Sequence, residues 1–324
     1  MASGTIETKT IWMNGEFVDA ADATIPFLTS GLHYGIGVFE GIRCYATPDG
    51  PAVFRLKEHI DRFLDSAVCL GFRKLPWSAE ELIEAVEETV LRNGYEGCYI
   101  RPMIWLGDGG WNLNLDGGKP GIGIAAWPWD HYLGADVLEK GVRANVSSVT
   151  RHHPNATATK AKISGNYVNS VLAKTESVRL GFDEAIMLDP TGYVAECTGA
   201  NIFLVRDGKI VTPPAALVLE GITRDSIMSL AGDLGIPVAE KPVSRDQLYI
   251  ADEVFVCGTA AECVALREID FRTIGSGVAG PVTRTLQKAY HAAVCGSHPR
   301  SEGWCHWVPG GVRPKVAARF GRRG

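Results

Sequence analysis

Several things are missing from this sequence, and each absence removes a class of function. No apolar run reaches the ~18 residues that a membrane-crossing helix needs, which argues against a transmembrane span. Eight cysteines are present, at 44, 69, 98, 197, 257, 263, 295 and 305, but no two have Cys-x-x-Cys spacing. That removes the usual zinc and dithiol redox patterns. Positive charge is not in excess: 32 Lys and Arg stand against 37 Asp and Glu, a formal net charge of −5. Such a balance argues against a nucleic-acid surface. The one basic cluster is Arg313, Lys315, Arg319, Arg322 and Arg323 in the tail 309–324, whose glycines and poor periodicity lead us to expect disorder. Residues 1–10 have neither an apolar signal core nor an arginine-rich transit character. The expectation is a cytoplasmic protein with free thiols. No internal repeat of about 20–50 residues is visible.

What is present reads as alternating short strands and helices. Ile11-Trp12-Met13 and Glu16-Phe17-Val18 flank Asn14-Gly15, a tight-hairpin signal. Val53-Phe54-Arg55 reads as a short strand, followed by a helix over 57–70 with Ile60, Phe63, Leu64 and Ala67 on one face. Ser78 and Glu81 form a capping-box pattern for a second helix ending near Gly94. Strands are expected over 98–106 and 121–127. In the second half, 184–188 and 193–195 form a hairpin about Asp189-Pro190-Thr191-Gly192. Another hairpin joins 201–205 to 209–212. Helices are expected over 223–235 and 281–294, a capping box at Ser244 to Gln247, and a strand over 252–256. These hairpins do not make a regular βαβ alternation, which argues against a Rossmann sheet. The length suggests two domains: 1–127, a small α/β unit; 128–138, a connection rich in aromatics, Pro and Gly; and 139–308, a larger unit.

Lys162, in Lys160-Ala161-Lys162-Ile163-Ser164-Gly165-Asn166-Tyr167, is the residue most suggestive of chemistry. Its small neighbours allow a planar ring to approach, and the Tyr167 phenol could bond a ring hydroxyl. Glu196 is suited to a ring nitrogen. Gly221-Ile222-Thr223 opens a helix whose free N–H groups favour an anion, and Thr259 after a strand offers another hydroxyl. Arg62 offers a guanidinium fork. Together these suggest a pyridoxal 5′-phosphate (PLP) site in which Lys162 forms a Schiff base with the aldehyde. Each residue has a plain alternative: a solvated lysine or glutamate, a helix cap at Thr223, a turn at Thr259, a surface ion pair at Arg62. Tyr34, Phe39, Tyr99, Arg101, Trp129 and Tyr132 are pocket candidates, with core packing as the alternative for the aromatics. Arg101, inside an apolar strand, needs a partner or a role.

The motifs His33-Tyr34-Gly35, Val38-Phe39-Glu40-Gly41-Ile42-Arg43-Cys44-Tyr45, Tyr99-Ile100-Arg101-Pro102, Ala161-Lys162, Gly165-Asn166-Tyr167, Gly221-Ile222-Thr223-Arg224 and Gly258-Thr259-Ala260-Ala261-Glu262 occur in this order. The chain thereby resembles the branched-chain amino acid aminotransferases, class IV PLP enzymes of fold type IV, over about residues 8–308. The resemblance implies an α+β, two-domain, D-amino acid aminotransferase-like fold, with a mixed sheet or barrel and flanking helices. It implies transamination of leucine, isoleucine and valine with 2-oxoglutarate, in branched-chain amino acid biosynthesis. Lys162 would carry the cofactor and move the proton; Tyr167 would meet the ring hydroxyl and Glu196 the ring nitrogen. Arg62, Ile222, Thr223 and Thr259 would hold the phosphate. Tyr99 and the Thr259-Ala260 backbone would meet the α-carboxylate. Phe39, Trp129, Tyr132 and Tyr167 would wall the side-chain pocket, and Arg101 and Tyr34 would receive the distal carboxylate of glutamate. Tyr34 and the loop near residue 113 would come from a second subunit, so a homodimer or larger homo-oligomer is expected. Two positions depart from the pattern: Glu220, where proline often stands, and the bulky Trp111. Alternatives are a D-amino acid or (R)-amine aminotransferase or an aminodeoxychorismate lyase of the same fold, and a non-catalytic binding protein.

Overall fold

The computed structural model describes residues 6–109, 111, 113–129 and 137–310. The Asn14-Gly15 signal forms a tight turn, with φ of 53° and 101° at its two residues. Both lie in the left-handed region, which matches the twist of the strands the turn joins. Those strands, β1 (Thr10–Met13) and β2 (Glu16–Asp19), begin a sheet that continues through β3 (Gly37–Phe39), β4 (Ile42–Thr47), β5 (Gly50–Phe54), β6 (Cys98–Leu106) and β7 (Pro120–Trp127). Neighbouring strands in it are antiparallel. Helix α1 (Ser30–Tyr34) precedes β3, and α2 (Leu56–Leu70) and α3 (Ala79–Asn93) cover one face of the sheet. The expected capping box is formed at Ser78 and Glu81. Ile60, Phe63, Leu82, Val86 and Val90 pack on Ile100, Ile104, Ile122 and Ile124. Strand side chains alternate in direction. Because Ile100 and Ile104 enter this core, Tyr99 and Arg101 face the other way.

A second sheet is mixed, and its strands run β8 (Val142–Val146), β9 (Glu184–Leu188), β10 (Val194–Cys197), β11 (Asn201–Arg206), β12 (Lys209–Thr212), β13 (Val238–Glu240), β14 (Glu253–Gly258), β15 (Glu262–Ile269) and β16 (Arg272–Thr273). Their spatial order is β10-β9-β8-β15-β14-β11-β12-β13, with β16 beside β15. Strand β8 is parallel to both its neighbours, and β12 is parallel to β13. Helices α4 (Val137–Lys140), α5 (Tyr167–Arg179), α6 (Ile222–Asp233), α7 (Arg245–Tyr249), α8 (Pro281–Val294) and α9 (Ser301–Trp304) accompany it. The last strand, β17 (Cys305–Trp307), returns to pair with β5 of the first sheet.

The molecule is thus α+β, with one antiparallel and one mixed sheet. A shared core ties them: Tyr45, Ala52 and Phe54 pack with Phe203, Phe255, Ile227, Leu286 and Tyr290. The Lys162 segment is pinned to the first sheet. Phe39 N–H donates to the Lys162 carbonyl at 3.0 Å, and Lys162 N–H donates to Ser66 Oγ of α2 at 3.0 Å. Gly165 N–H donates to the Gly35 carbonyl at 3.1 Å. Gly35 has φ of 66°, and a Cβ there would stand 3.0 Å from Gly165 Cα, so this crossing of two backbones requires glycine. Among the described residues, no helix is long and apolar enough to cross a membrane. Tyr132 and the tail from residue 311 lie outside the described residues.

Candidate active site

All seven residues proposed for the cofactor line one cleft between the sheets. Arg62, Lys162, Tyr167, Glu196, Ile222, Thr223 and Thr259 share it, around about 500 Å3 of space that is partly open to solvent. Lys162 Nζ lies 2.7 Å from the Tyr167 hydroxyl and 5.1 Å from the Phe39 ring centre. The other lysine of the motif, Lys160, is engaged elsewhere. It bonds the carbonyls of Ala215 and Val218 and pairs with Glu220 at 3.0 Å.

Glu196 projects from β10 at a bulge, where the pairing with β9 shifts register. A bulge re-aims a side chain. Its carboxylate is buried and lies 2.8 Å from Arg151 Nε. Asn201 Nδ2 donates to it at 3.2 Å, and Leu219 N–H donates at 3.3 Å. Burial pushes the Glu196 carboxyl above its ordinary pKa, against the opposing pull of Arg151 and the Leu219 amide. A cation placed beside it would favour the ionised form. The glycine before Ile222 is needed here: a Cβ on Gly221 would fall 2.1 Å from Asn201 Oδ1, displacing the side chain that supports Glu196.

Other groups lining the cleft are suited to an anion. Ile222 and Thr223 open α6, where the first N–H groups have no partner within the helix. Thr259 follows β14 in a three-residue turn. Arg62 is held in a fixed orientation by Glu40, to which it donates two hydrogen bonds: Nε to Oε1 at 2.7 Å and Nη2 to Oε2 at 2.9 Å. Its Nη1 donates to the Glu220 carbonyl at 2.8 Å. His59 Nδ1 lies 2.8 Å from Glu40 Oε2. Glu40 is fully buried; burial alone would raise its pKa, but Arg62 and His59 outweigh that and hold it well below the usual carboxylate range.

This shift sets a pH-dependent stability. A depressed folded-state pKa contributes stability that is fully present above the unfolded value and is lost as pH falls toward the folded one. Glu40→Gln is therefore expected to lower unfolding free energy at pH 7 by about 3 kcal/mol, the scale for breaking a buried ion pair. The difference from wild type should shrink steadily below about pH 4.5. Denaturant titrations at pH 7, 5 and 3.5 measure it, and a gap that stayed constant down to pH 3.5 would contradict the assignment.

Beside Lys162 stands an aromatic group. Phe39 and Tyr167 meet edge to face with centroids 4.7 Å apart. Tyr99 lies 5.2 Å from Trp127 and 4.9 Å from Trp129. Arg101 Nη2 donates to the Tyr99 hydroxyl at 3.0 Å, and the guanidinium carbon lies 4.6 Å from the Phe39 ring centre. Arg101 Nε is buried without a hydrogen-bond partner among the described residues. Ala260 is next to Thr259 in the β14–β15 turn. Tyr34 is placed apart from this group, exposed on α1, its hydroxyl 3.5 Å from the Trp111 carbonyl.

Sequence reasoning missed Arg151, His59 and the role of Glu40. His59 and Arg62 lie three residues apart on one helix and so share a face, a signal for a joint partner. Arg151 sits in an irregular polar stretch and gave no such signal.

The fit to a phosphorylated pyridine aldehyde is specific in its donor set. An amine, a phenol, a buried carboxylate, a helix N-terminus, two hydroxyls and an arginine all line the one cleft.

Comparison with known proteins agrees with this chemistry. The model of the amino-transferase class IV family matches residues 37–269. The branched-chain-amino-acid aminotransferase of Pseudomonas aeruginosa is 48% identical over 297 residues, covering 92% of this chain and 95% of that protein. The crystal structure of the Escherichia coli branched-chain amino acid aminotransferase has a TM-score of 0.91 at 45% identity, covering 93% of this chain and all (100%) of that one. The T.th. branched-chain amino acid aminotransferase with pyridoxamine 5′-phosphate also has a TM-score of 0.91, at 50% identity, covering 94% of this chain and 100% of that one. The same T.th. protein has been solved with N-(5′-phosphopyridoxyl)-L-glutamate and with 4-methylvaleric acid.

Proposed function

This chain belongs to the class IV aminotransferases, and from that premise we propose that it transaminates branched-chain L-amino acids with 2-oxoglutarate in a two-step, ping-pong cycle. It uses PLP and yields branched-chain 2-oxo acids and L-glutamate. The observation that carries the reading is Lys162 Nζ, 2.7 Å from the Tyr167 hydroxyl, in the same cleft as the buried Glu196. When bound, PLP supplies an aldehyde for an amine and an electron sink for the bond broken at Cα.

The remaining work falls to side chains of this protein. Lys162 Nζ would carry the proton between the substrate Cα and the cofactor C4′. Tyr167 orients that amine. Glu196, kept in place by Arg151, Asn201 and the Leu219 amide, holds a proton on the ring nitrogen. Arg62, the Ile222 and Thr223 amides, and the Thr223 and Thr259 hydroxyls hold the phosphate. Tyr99 and the Thr259-Ala260 backbone receive the α-carboxylate. Phe39, Tyr167 and Trp129 wall an apolar side-chain pocket, which favours leucine, isoleucine and valine and excludes water. Arg101 lies at the edge of that wall. Its unpaired Nε suits the distal carboxylate of glutamate, so one pocket serves both substrates in turn. In the T.th. protein, a glutamate adduct and a branched six-carbon acid are both bound, which supports the same pairing here.

The division of labour within the chain follows: 1–127 as a small domain, 128–138 as a connection and 139–308 as the PLP-binding domain. The active unit is a homodimer, in which Tyr34 and the loop near residue 113 complete the neighbouring pocket. Exposed Phe27, Leu28 and Leu32 near Tyr34, and exposed Val168, Val171 and Leu172 on α5, support this assembly. The compartment is the cytoplasm.

A steady-state panel with 2-oxoglutarate tests the reaction: L-leucine, L-valine and L-isoleucine should be turned over, and D-alanine and an (R)-arylamine should not. A preference for D-alanine or the arylamine would overturn the choice of substrate. Arg101→Met probes the dual pocket. Its kcat/KM should fall about 100-fold for L-glutamate, since a carboxylate would lose its charged partner, but less than about fivefold for L-leucine. Equal losses for both would remove Arg101 from the distal-carboxylate role.

A further inference from the structure

One buried network near the cleft is not used by this mechanism. It centres on Glu262, the first residue of β15. Glu262 closes the Thr259–Ala261 turn by pairing with Gly258 across the hairpin. Its φ is 58°, a left-handed conformation that residues with a side chain rarely adopt. Such a conformation persists only where the surroundings impose it. Here the first sheet imposes it. Glu262 Oε1 accepts hydrogen bonds from Arg43 Nη1 at 2.8 Å and from the Tyr45 hydroxyl at 3.0 Å, both on β4. The Arg43 guanidinium carbon also lies 4.8 Å from the centre of the Tyr45 ring. Arg43 and Glu262 are both largely shielded from water, at 11% and 13% side-chain exposure. That shielding makes the pair stiffer than a surface salt bridge.

Tyr45 is itself buried, so the clamp on Glu262 is anchored in the core that the two sheets share. Thr259, three residues before Glu262 in the same turn, is thereby tied to β4.

We propose that Glu262 is a positioning residue: clamped by Arg43 and Tyr45, it fixes the Thr259 turn at the phosphate end of the cleft. It touches neither substrate nor cofactor. This rests on the reading of that end as a phosphate cradle. It goes beyond that reading by assigning the geometry of the cradle to a carboxylate behind it.

The test uses the full-length chain stripped of cofactor and titrated with PLP or with pyridoxal, which lacks the phosphate, by visible absorbance. Glu262→Gly removes the carboxylate and relieves the left-handed backbone. It should weaken PLP about tenfold and leave pyridoxal within about twofold, because only the phosphate contacts depend on this turn. Glu262→Gln keeps the side-chain shape and removes the charge, guarding against a variant that fails to fold; it should shift PLP in the same direction by about threefold. Unchanged PLP affinity in the Glu262 variants, or equal weakening of PLP and pyridoxal, would overturn the positioning role. A wild-type chain that bound pyridoxal as tightly as PLP would instead overturn the phosphate cradle on which the proposal depends.

Discussion

Lys162→Ala is expected to lower turnover of L-leucine with 2-oxoglutarate by about ten-thousandfold or more. A positioned side chain that transfers a proton is alone worth up to about 10^4, and in the proposed reaction the same residue is also the covalent attachment point. The geometry separates this lysine from its neighbour. Lys162 Nζ faces Tyr167 and Phe39 inside the cleft, whereas Lys160 is held by the carbonyls of Ala215 and Val218 and by Glu220. Lys160→Ala should therefore change turnover only a few-fold, as loss of a half-exposed ion pair does. Turnover above about one hundredth of wild type in Lys162→Ala would place the chemistry on another residue. A steady-state assay of both variants, with the cofactor content of each measured, gives the comparison.

The next largest effect is expected at Glu196. Glu196→Gln keeps the shape and the contacts with Asn201 and Leu219 but loses the charge. It should reduce kcat by about 10^2 to 10^3, the scale for removing one preorganised electrostatic group from a closed site. Cofactor retention should fall much less, because Lys162 and the phosphate end are untouched. Arg151 is the reason the substitution is more than local. It lies 2.8 Å from the carboxylate, and in Glu196→Gln its cation loses that partner in a nearly buried position. The double change Glu196→Gln with Arg151→Met should restore stability without restoring turnover. Wild-type kcat in Glu196→Gln would mean that the ring nitrogen is not held by this residue.

Much of this molecule was legible in the sequence, for reasons that differ by element. The Asn14-Gly15 turn, the Ser78–Glu81 capping box and the apolar stripes of α2 and α3 are local patterns, and each formed where expected. Strands β8 and β15 were not anticipated, although both are buried and rich in branched residues. Their flanks lack strong turn signals, and a short apolar run alone does not declare itself a strand. Helix α5 was also missed. Val168, Val171 and Leu172 are exposed on it, so its apolar residues do not mark a buried stripe. Nor did anything in the sequence announce that β17 would return to β5, a pairing set by tertiary packing.

The site divides in the same way. Lys162, Tyr167, Thr223 and Thr259 lie in compact motifs whose small residues hint at a close-fitting ligand. The supporting groups do not. Glu40 with Arg62, Arg151 with Glu196, and Arg43 with Glu262 are 22, 45 and 219 residues apart, and only folding brings each pair together. Arg101 shows both sides. The sequence made it conspicuous as a charge in an apolar strand, but only the alternation of β6 showed that it faces the Phe39 and Tyr99 rings and not the core.

The most direct test of the account is an absorbance spectrum of the full-length protein with PLP, before and after L-leucine. The account requires a visible band that is retained on gel filtration, is bleached by L-leucine, is restored by 2-oxoglutarate and is missing from Lys162→Ala. A protein that shows no such band after addition of PLP, or whose band is indifferent to L-leucine, would contradict it.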